Sequence, residues 1–241
     1  MDFEIKAIPT SKSEIKQCPG AESGCVPKHP FRNYIIGASG SGKTNLLLNL
    51  LSRQEFYNGY FDQVFIISPT ASELDDSYKV LGLDQTHFFQ PDIQVLQVIE
   101  DIQRRNIKKA GIGKAPKVCV ILDDCISYKK FINSKILLKF AIMSRHYGIS
   151  MFILSQCYHR VPKSVRLNMS CIMFFKGNMK EVETITDDFM CPGWKKKDFM
   201  GLINKSTNKR YNFFHIDMNK QIEEGRYKKN LNEVLIKGVY E

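Results

Sequence analysis

No apolar run in this sequence approaches the roughly 18 residues that a membrane-crossing helix needs. No leader with a charged start and an apolar centre opens the chain. A soluble protein with no membrane partner is the expectation. Cysteine pairing is missing as well. Cys18, Cys25, Cys119, Cys125, Cys157, Cys171 and Cys191 are odd in number and scattered, and none shows C-x-x-C zinc spacing. Cys18, Cys25 and His29 are poorly spaced for a metal site. Cys119 and Cys171 lie in apolar runs, where cysteine behaves as a small hydrophobe. Such usage points to a reducing, intracellular compartment. Internal repeats and low-complexity tracts are also missing, which excludes solenoids and disordered arrays.

Acidic residues are in short supply, 25 against 35 basic, for a net charge of +10. That excess favours a polyanionic partner such as DNA or RNA. A merely basic nucleotide-handling enzyme would show the same balance. The length of 241 residues suits one α/β domain with a small appendage.

What the chain does contain is a complete G-x-x-x-x-G-K-[ST] loop, Gly37-Ala38-Ser39-Gly40-Ser41-Gly42-Lys43-Thr44. Phe31 to Ile36 ahead of it reads as a strand, and Asn45 to Leu51 behind it as a buried helix. Strand, glycine loop and helix form the context that confirms the motif. Glycines let backbone N–H groups turn inward around phosphates, where a Cβ would clash. The helix N-terminus adds partial positive charge. Lys43 has the reach for the β- and γ-phosphates, and the Thr44 hydroxyl suits Mg²⁺. The expected nucleotide-binding set is Gly37, Ala38, Ser39, Gly40, Ser41, Gly42, Lys43, Thr44 and Asn45, with ATP and Mg²⁺ as ligands.

Further strands are expected at Gln63–Ser68, His87–Phe89, Val118–Leu122, Met151–Leu154, Cys171–Phe175 and Tyr211–Ile216. Helical patterns run over Ile93–Ile107, Ile132–His146 and Trp194–Ile203. Alternating strands and helices imply an α/β fold, a mostly parallel central sheet covered by helices on both faces. Residues 1–30, with Pro9, Pro19, Pro27 and Pro30, read as an extended N-terminal arm. Residues 31–216 read as the ATPase domain, and 217–241 as a basic tail with helical character.

The Val118–Leu122 run ends in Asp123-Asp124, an apolar strand closed by acids. Asp123 is the expected Mg²⁺ ligand and Asp124 the water-activating carboxylate. The next strand ends in Ser155-Gln156, at the carboxyl edge where open α/β sheets bind ligands. Gln156 is expected to sense the γ-phosphate or orient water. A cation on the developing phosphate charge would help, with Arg145, Arg160 and Arg166 as candidates.

In this order, Gly37-x4-Gly42-Lys43-Thr44, Asp123-Asp124, Ser144-Arg145-His146-Tyr147-Gly148-Ile149 and Ser155-Gln156 resemble the virion genome-packaging ATPases. These belong to poxviruses, other large DNA viruses and virophages, within the FtsK–HerA superfamily of P-loop NTPases. The resemblance runs from about residue 30 to about 180. It implies an ASCE-type sheet with the Gln156 strand between the phosphate-loop strand and the Asp123 strand. It implies a homo-oligomeric ring of about five or six subunits around double-stranded DNA, and work against a capsid portal or vertex protein. It implies an arginine entering the neighbouring site, for which Arg145 matches best. Many relatives carry glutamate where Asp124 stands. The expected location is the host cytoplasm or viral factory, or the virion.

Candidate DNA-backbone contacts are Lys129-Lys130, Lys195-Lys196-Lys197, Lys209-Arg210 and Arg226-Tyr227-Lys228-Lys229. Two other functions use the same loop. A small-molecule kinase would need a basic lid, for which Arg104-Arg105 and Lys108-Lys109 are available. A non-catalytic nucleotide switch would leave Asp123 and Asp124 without work.

Overall fold

The protein is described by a computed structural model covering residues 15–70 and 76–236. Along the chain, α1 (Pro19–Glu22) precedes β1 (Arg32–Ile36), and α2 (Lys43–Ser52) leads to β2 (Gln63–Ile67). Next come β3 (Phe88–Phe89), α3 (Ile93–Ala110) and β4 (Val118–Asp123). They are followed by α4 (Lys129–Ile132), α5 (Lys135–Met143) and β5 (Ile149–Ser155). Then α6 (Lys163–Arg166), β6 (Cys171–Phe175), α7 (Met179–Phe189) and α8 (Lys196–Ser206) lead to β7 (Phe213–Asp217), β8 (Tyr227–Lys229) and β9 (Glu233–Val234).

The strands form one sheet of order β3-β2-β4-β5-β1-β6-β7-β8-β9 among the described residues. Pairing is parallel from β3 through β6 and antiparallel beyond it. The register is fixed by alternation. Tyr34, Ile36, Val120, Leu122, Met151, Ile153, Ile172 and Phe174 face one core. Ile35, Cys119, Ile121, Phe152, Leu154, Cys171 and Met173 face the other. All of β5 is buried, as befits the middle of a sheet covered on both sides. Leucines and isoleucines of α3, α5, α7 and α8 cover the first face. Leu47, Leu50 and Leu51 of α2 cover the second.

That second face has few helices, and the lead-in completes it. Cys18, Ala21 and Val26 are buried against α2 and the sheet. Tyr57 donates its hydroxyl proton to the Pro27 carbonyl at 2.5 Å, and Gln17 pairs with the His29 backbone in both directions at 2.8 Å. Residues 15–30 are therefore part of the domain rather than an extended arm. The prolines marked irregular backbone, which the sequence pattern did not distinguish from an unpacked one. Residues 1–14 lie outside the described residues.

The helical tail is likewise corrected. Residues 227–229 and 233–234 are strands, with residues 237–241 outside the described residues. Tyr227 is buried against Trp194, Phe199 and Phe214. The α7 helix, with Val182, Ile185 and Phe189 buried, lay in a stretch without a sequence assignment. No helix among the described residues is long and apolar enough to cross a membrane.

Candidate nucleotide site

The phosphate loop joins β1 to α2 at the carboxyl edge of the parallel strands. Gly40 and Gly42 have φ of 71° and 104°, a backbone that side-chain-bearing residues avoid. At Gly37 a Cβ would stand 2.5 Å from Ser41 Oγ and 2.7 Å from Phe175 Cβ, so this position is closed to anything larger. Lys43 Nζ donates to the Gly37 and Ala38 carbonyls at 2.7 and 3.1 Å, lying back across its own loop. Burial pushes this ammonium below its ordinary pKa, while the carboxylates of Asp124 and Asp123 pull it back up. Thr44 sits in the first turn of α2 and Asn45 beside it is exposed.

The order β4-β5-β1 brings the other parts to the same edge. Asp123 ends β4, and its Oδ2 accepts a hydrogen bond from the Tyr78 hydroxyl at 2.6 Å. Asp124 follows in the left-handed region, φ 53°, a conformation aspartate tolerates better than most residues. Gln156, just past β5, donates from Nε2 to Asp124 Oδ2 at 2.7 Å. The other Asp124 oxygen is buried without a hydrogen-bond partner among the described residues, as is Ser41 Oγ. A loop that only glycine can form, an ammonium beside it and an orphaned carboxylate oxygen fit a nucleoside triphosphate with its divalent cation. Thr44 and Asp123 could hold that cation. Tyr78 had no sequence signal, since it stands 45 residues ahead of its partner.

The arginines separate. Arg145 is exposed in the 3-10 turn Ser144–Tyr147, at the amino end of β5, across the sheet from its own loop. Arg160 is exposed just beyond the carboxyl end. Arg166 is withdrawn from candidacy. It is buried, donates from Nε to Asp188 Oδ2 at 2.9 Å, and stacks 4.8 Å over Tyr158.

Some basic clusters also change role. Lys228 is only 4% exposed, and its Nζ donates to the Gly24 carbonyl at 2.6 Å. Burial, then the nearby Lys220 charge, push its pKa down to about 8. With Arg226 bonded to the Lys220 carbonyl and Tyr227 in the core, this run is structural rather than a DNA contact. The sequence showed a charge run, and only the fold shows where the stems go. Lys129-Lys130, Lys195-Lys196-Lys197 and Lys209-Arg210 are exposed. Arg104, Arg105 and Lys108 line a groove with His146 and Tyr147, at the amino edge of the sheet. They stand opposite the phosphate loop and cannot close over it as a lid. His29, poorly spaced with Cys18 and Cys25 for a metal site, bonds through Nδ1 to Ser150 Oγ at 2.6 Å. No cluster of three metal-ligating His, Cys, Asp or Glu residues exists among the described residues.

A phosphate loop between β1 and α2, with β5 set between β1 and the acidic strand β4, defines the P-loop NTPase fold. The chain belongs to the family described as Poxvirus A32 protein, whose model matches residues 23–227. The DNA packaging protein OPG160 of vaccinia virus (strain Copenhagen) is 25% identical over 189 residues, 77% of this chain and 67% of that protein. In fold the chain is similar to the DNA-packaging ATPase of Sulfolobus turreted icosahedral virus, with a TM-score of 0.59 and 15% identity, covering 86% of this chain and 99% of the other. The genome-packaging NTPase of Sulfolobus turreted icosahedral virus 2, solved in complex with AMPPCP, gives 0.55 and 16%, over 85% of this chain and 98% of that one.

Proposed function

We propose that this chain hydrolyses ATP to ADP and phosphate to drive double-stranded DNA into a viral capsid. The observation that carries this reading is the Gln156–Asp124 hydrogen bond at the carboxyl edge, where β5 lies between β4 and the phosphate-loop strand. In-line attack on a γ-phosphate needs an oriented water and an acceptor for its proton. Asp124 has the carboxylate and Gln156 has the amide for that work. Gly37 to Asn45 wrap the triphosphate, and Lys43 shifts from its loop carbonyls to the β- and γ-oxygens. Mg²⁺, held by Thr44 and Asp123, would neutralise charge on those oxygens.

The packaging half of the proposal is supported by the family and by the function named for the vaccinia relative. Nucleotide binding is supported by the AMPPCP-bound neighbour. A motor for a whole genome should grip backbone rather than base edges, so its DNA affinity falls steeply with salt and depends little on sequence. The exposed lysine clusters supply that grip. We take residues 15–236 as one ATPase unit. It assembles as a ring in the infected cell's cytoplasm or viral factory and docks on a portal or vertex protein. Arg145 of one subunit completes the site of the next.

The test is ATP hydrolysis against protein concentration, with and without long double-stranded DNA, with Lys43→Ala as the blank. A cooperative rise and stimulation by DNA are expected. Turnover indifferent to both would overturn the motor.

A further inference from the structure

Beside the phosphate loop, on the α2 side, lies a cavity of about 230 Å³. Gly42, Asn45, Asn49, Phe56, Phe175 and Tyr211 are among its lining. A second recess of about 380 Å³ runs over Ala38–Ser41 and is edged by Lys209 and Arg210. Phe175 and Tyr211 border both. Tyr211 is thus the wall between the face of the loop and the groove along α2.

Tyr211 is an unusual residue for that place. It is 54% exposed yet held at φ 68°, a region that bulky residues rarely enter. Its ring lies directly on the loop, since a Cβ at residue 42 would stand 3.0 Å from Tyr211 Cδ1. The Arg210 guanidinium backs the ring at 4.7 Å. A strained backbone that keeps an aromatic ring in water, braced from behind, favours a ligand over a packing role.

The chemistry of the cavity names the ligand. It is lined by the rings of Phe56, Phe175 and Tyr211, by the carboxamides of Asn45 and Asn49, and by Arg53, whose guanidinium stands 5.5 Å from the Phe56 ring. Apolar walls with a few placed polar groups describe a small-ligand subsite, and an exposed aromatic face stacks nucleobases. Asn45 directly follows the loop, where a triphosphate's α-phosphate and sugar would emerge. We infer that Tyr211 is the stacking wall for the purine base of the nucleotide held by the Gly37–Thr44 loop. This rests on the ATPase reading above and adds the base subsite to it.

The test is calorimetric titration of the full chain with ATP and, separately, with inorganic tripolyphosphate, each with Mg²⁺. The proteins are wild type, Tyr211→Gly and Tyr211→Phe. Glycine adopts φ 68° freely, so it removes the ring without straining the backbone. The expected result is ATP binding weakened about tenfold or more in Tyr211→Gly, with ATP binding retained in Tyr211→Phe and tripolyphosphate binding unchanged in both. Equal ATP affinity in wild type and Tyr211→Gly would overturn the base subsite while leaving the ATPase reading intact. Weakening of both ligands in Tyr211→Gly would make Tyr211 a support for the loop and overturn it too. A wild-type chain that binds neither ligand would sink the ATPase reading itself.

Discussion

Gln156 Nε2 donates to Asp124 Oδ2 across 2.7 Å, tying the side chain that follows β5 to the one that follows β4. The bond occupies one carboxylate oxygen, and the other is buried and without a hydrogen-bond partner among the described residues. If the pair serves hydrolysis as proposed, the two side chains act as one unit. Asp124→Asn should lower kcat by at least about 10²-fold, the usual worth of a general base, with ATP affinity held within a few-fold. Gln156→Ala should cost about tenfold, and the double variant should be no slower than Asp124→Asn alone. Steady-state hydrolysis and equilibrium ATP binding check this. Costs that multiply in the double variant would mean that the two residues work separately.

Tyr78 makes a second prediction. Its hydroxyl holds Asp123 Oδ2 at 2.6 Å from the 3-10 segment Asp76–Leu81. Acting through Asp123, it would be a positioning residue. Tyr78→Phe should cost about 1 kcal/mol of stability, the typical worth of one hydrogen bond. It should also raise the Mg²⁺ concentration for half-maximal hydrolysis by a few-fold, because the carboxylate loses its fixed rotamer. A Mg²⁺ titration of activity in both proteins decides it. A stability loss with an unmoved Mg²⁺ curve would confine Tyr78 to packing.

The strands were legible in the sequence because β1, β4, β5 and β6 are short apolar runs bounded by turn residues, and such runs suit few other places. The loop, Asp123, Asp124 and Gln156 were legible because each ends or follows one of those runs. The Gln156–Asp124 bond was not, since it depends on which strands are neighbours, and only the family resemblance implied that order. Tyr78 and Tyr211 were not legible either. Tyr78 stands in a segment with no periodicity to read, and Tyr211 was read as the start of a strand that begins only at Phe213. Lys228 shows the reverse error, a charge that looked solvated and is buried on the Gly24 carbonyl.

Two buried histidines contribute to the response to acid. Burial, then the Lys117 charge, push His29 down to about 4. Burial, then Lys228 and Lys220, push His215 down to about 3. In the unfolded chain both return to about 6.5. Below that pH the unfolded chain takes up protons that the folded chain refuses. Stability from these groups is therefore whole above about pH 6.5 and is lost as pH falls towards 4. The loss reaches up to about 1.4 kcal/mol per pH unit for each histidine. Urea midpoints at pH 7.5 and pH 5 should show the drop. His29→Gln, which keeps a polar partner for Ser150, should make it shallower. A midpoint independent of pH over this range would contradict both shifts.

Arg145 and Arg166 were both candidates in the sequence, Arg145 the better match by resemblance, and the fold gives them opposite fates. Arg145 is exposed at the amino end of β5, a strand of seven residues that rises about 3.3 Å per residue. It therefore stands about 20 Å from the edge that carries its own phosphate loop, too far for any side chain to span. If it acts in hydrolysis, it acts on a neighbour. Arg145→Ala should then lose activity by about 10³-fold, in the range of an arginine finger, with ATP affinity unchanged. Mixed with Lys43→Ala subunits, it should regain activity, because some interfaces pair an intact loop with an intact arginine. Arg166→Ala should instead lose about 2 kcal/mol of stability, because Asp188, whose side chain is only 4% exposed, is left with the Tyr158 hydroxyl at 2.9 Å and a 3.8 Å ion pair to Lys163. Its remaining folded fraction should hydrolyse ATP at the wild-type rate, and mixing should restore nothing. If the Arg145→Ala mixture stays silent while the subunits demonstrably co-assemble, Arg145 does not act in trans, and Arg160, exposed beyond the carboxyl end of β5, takes its place as the arginine to vary.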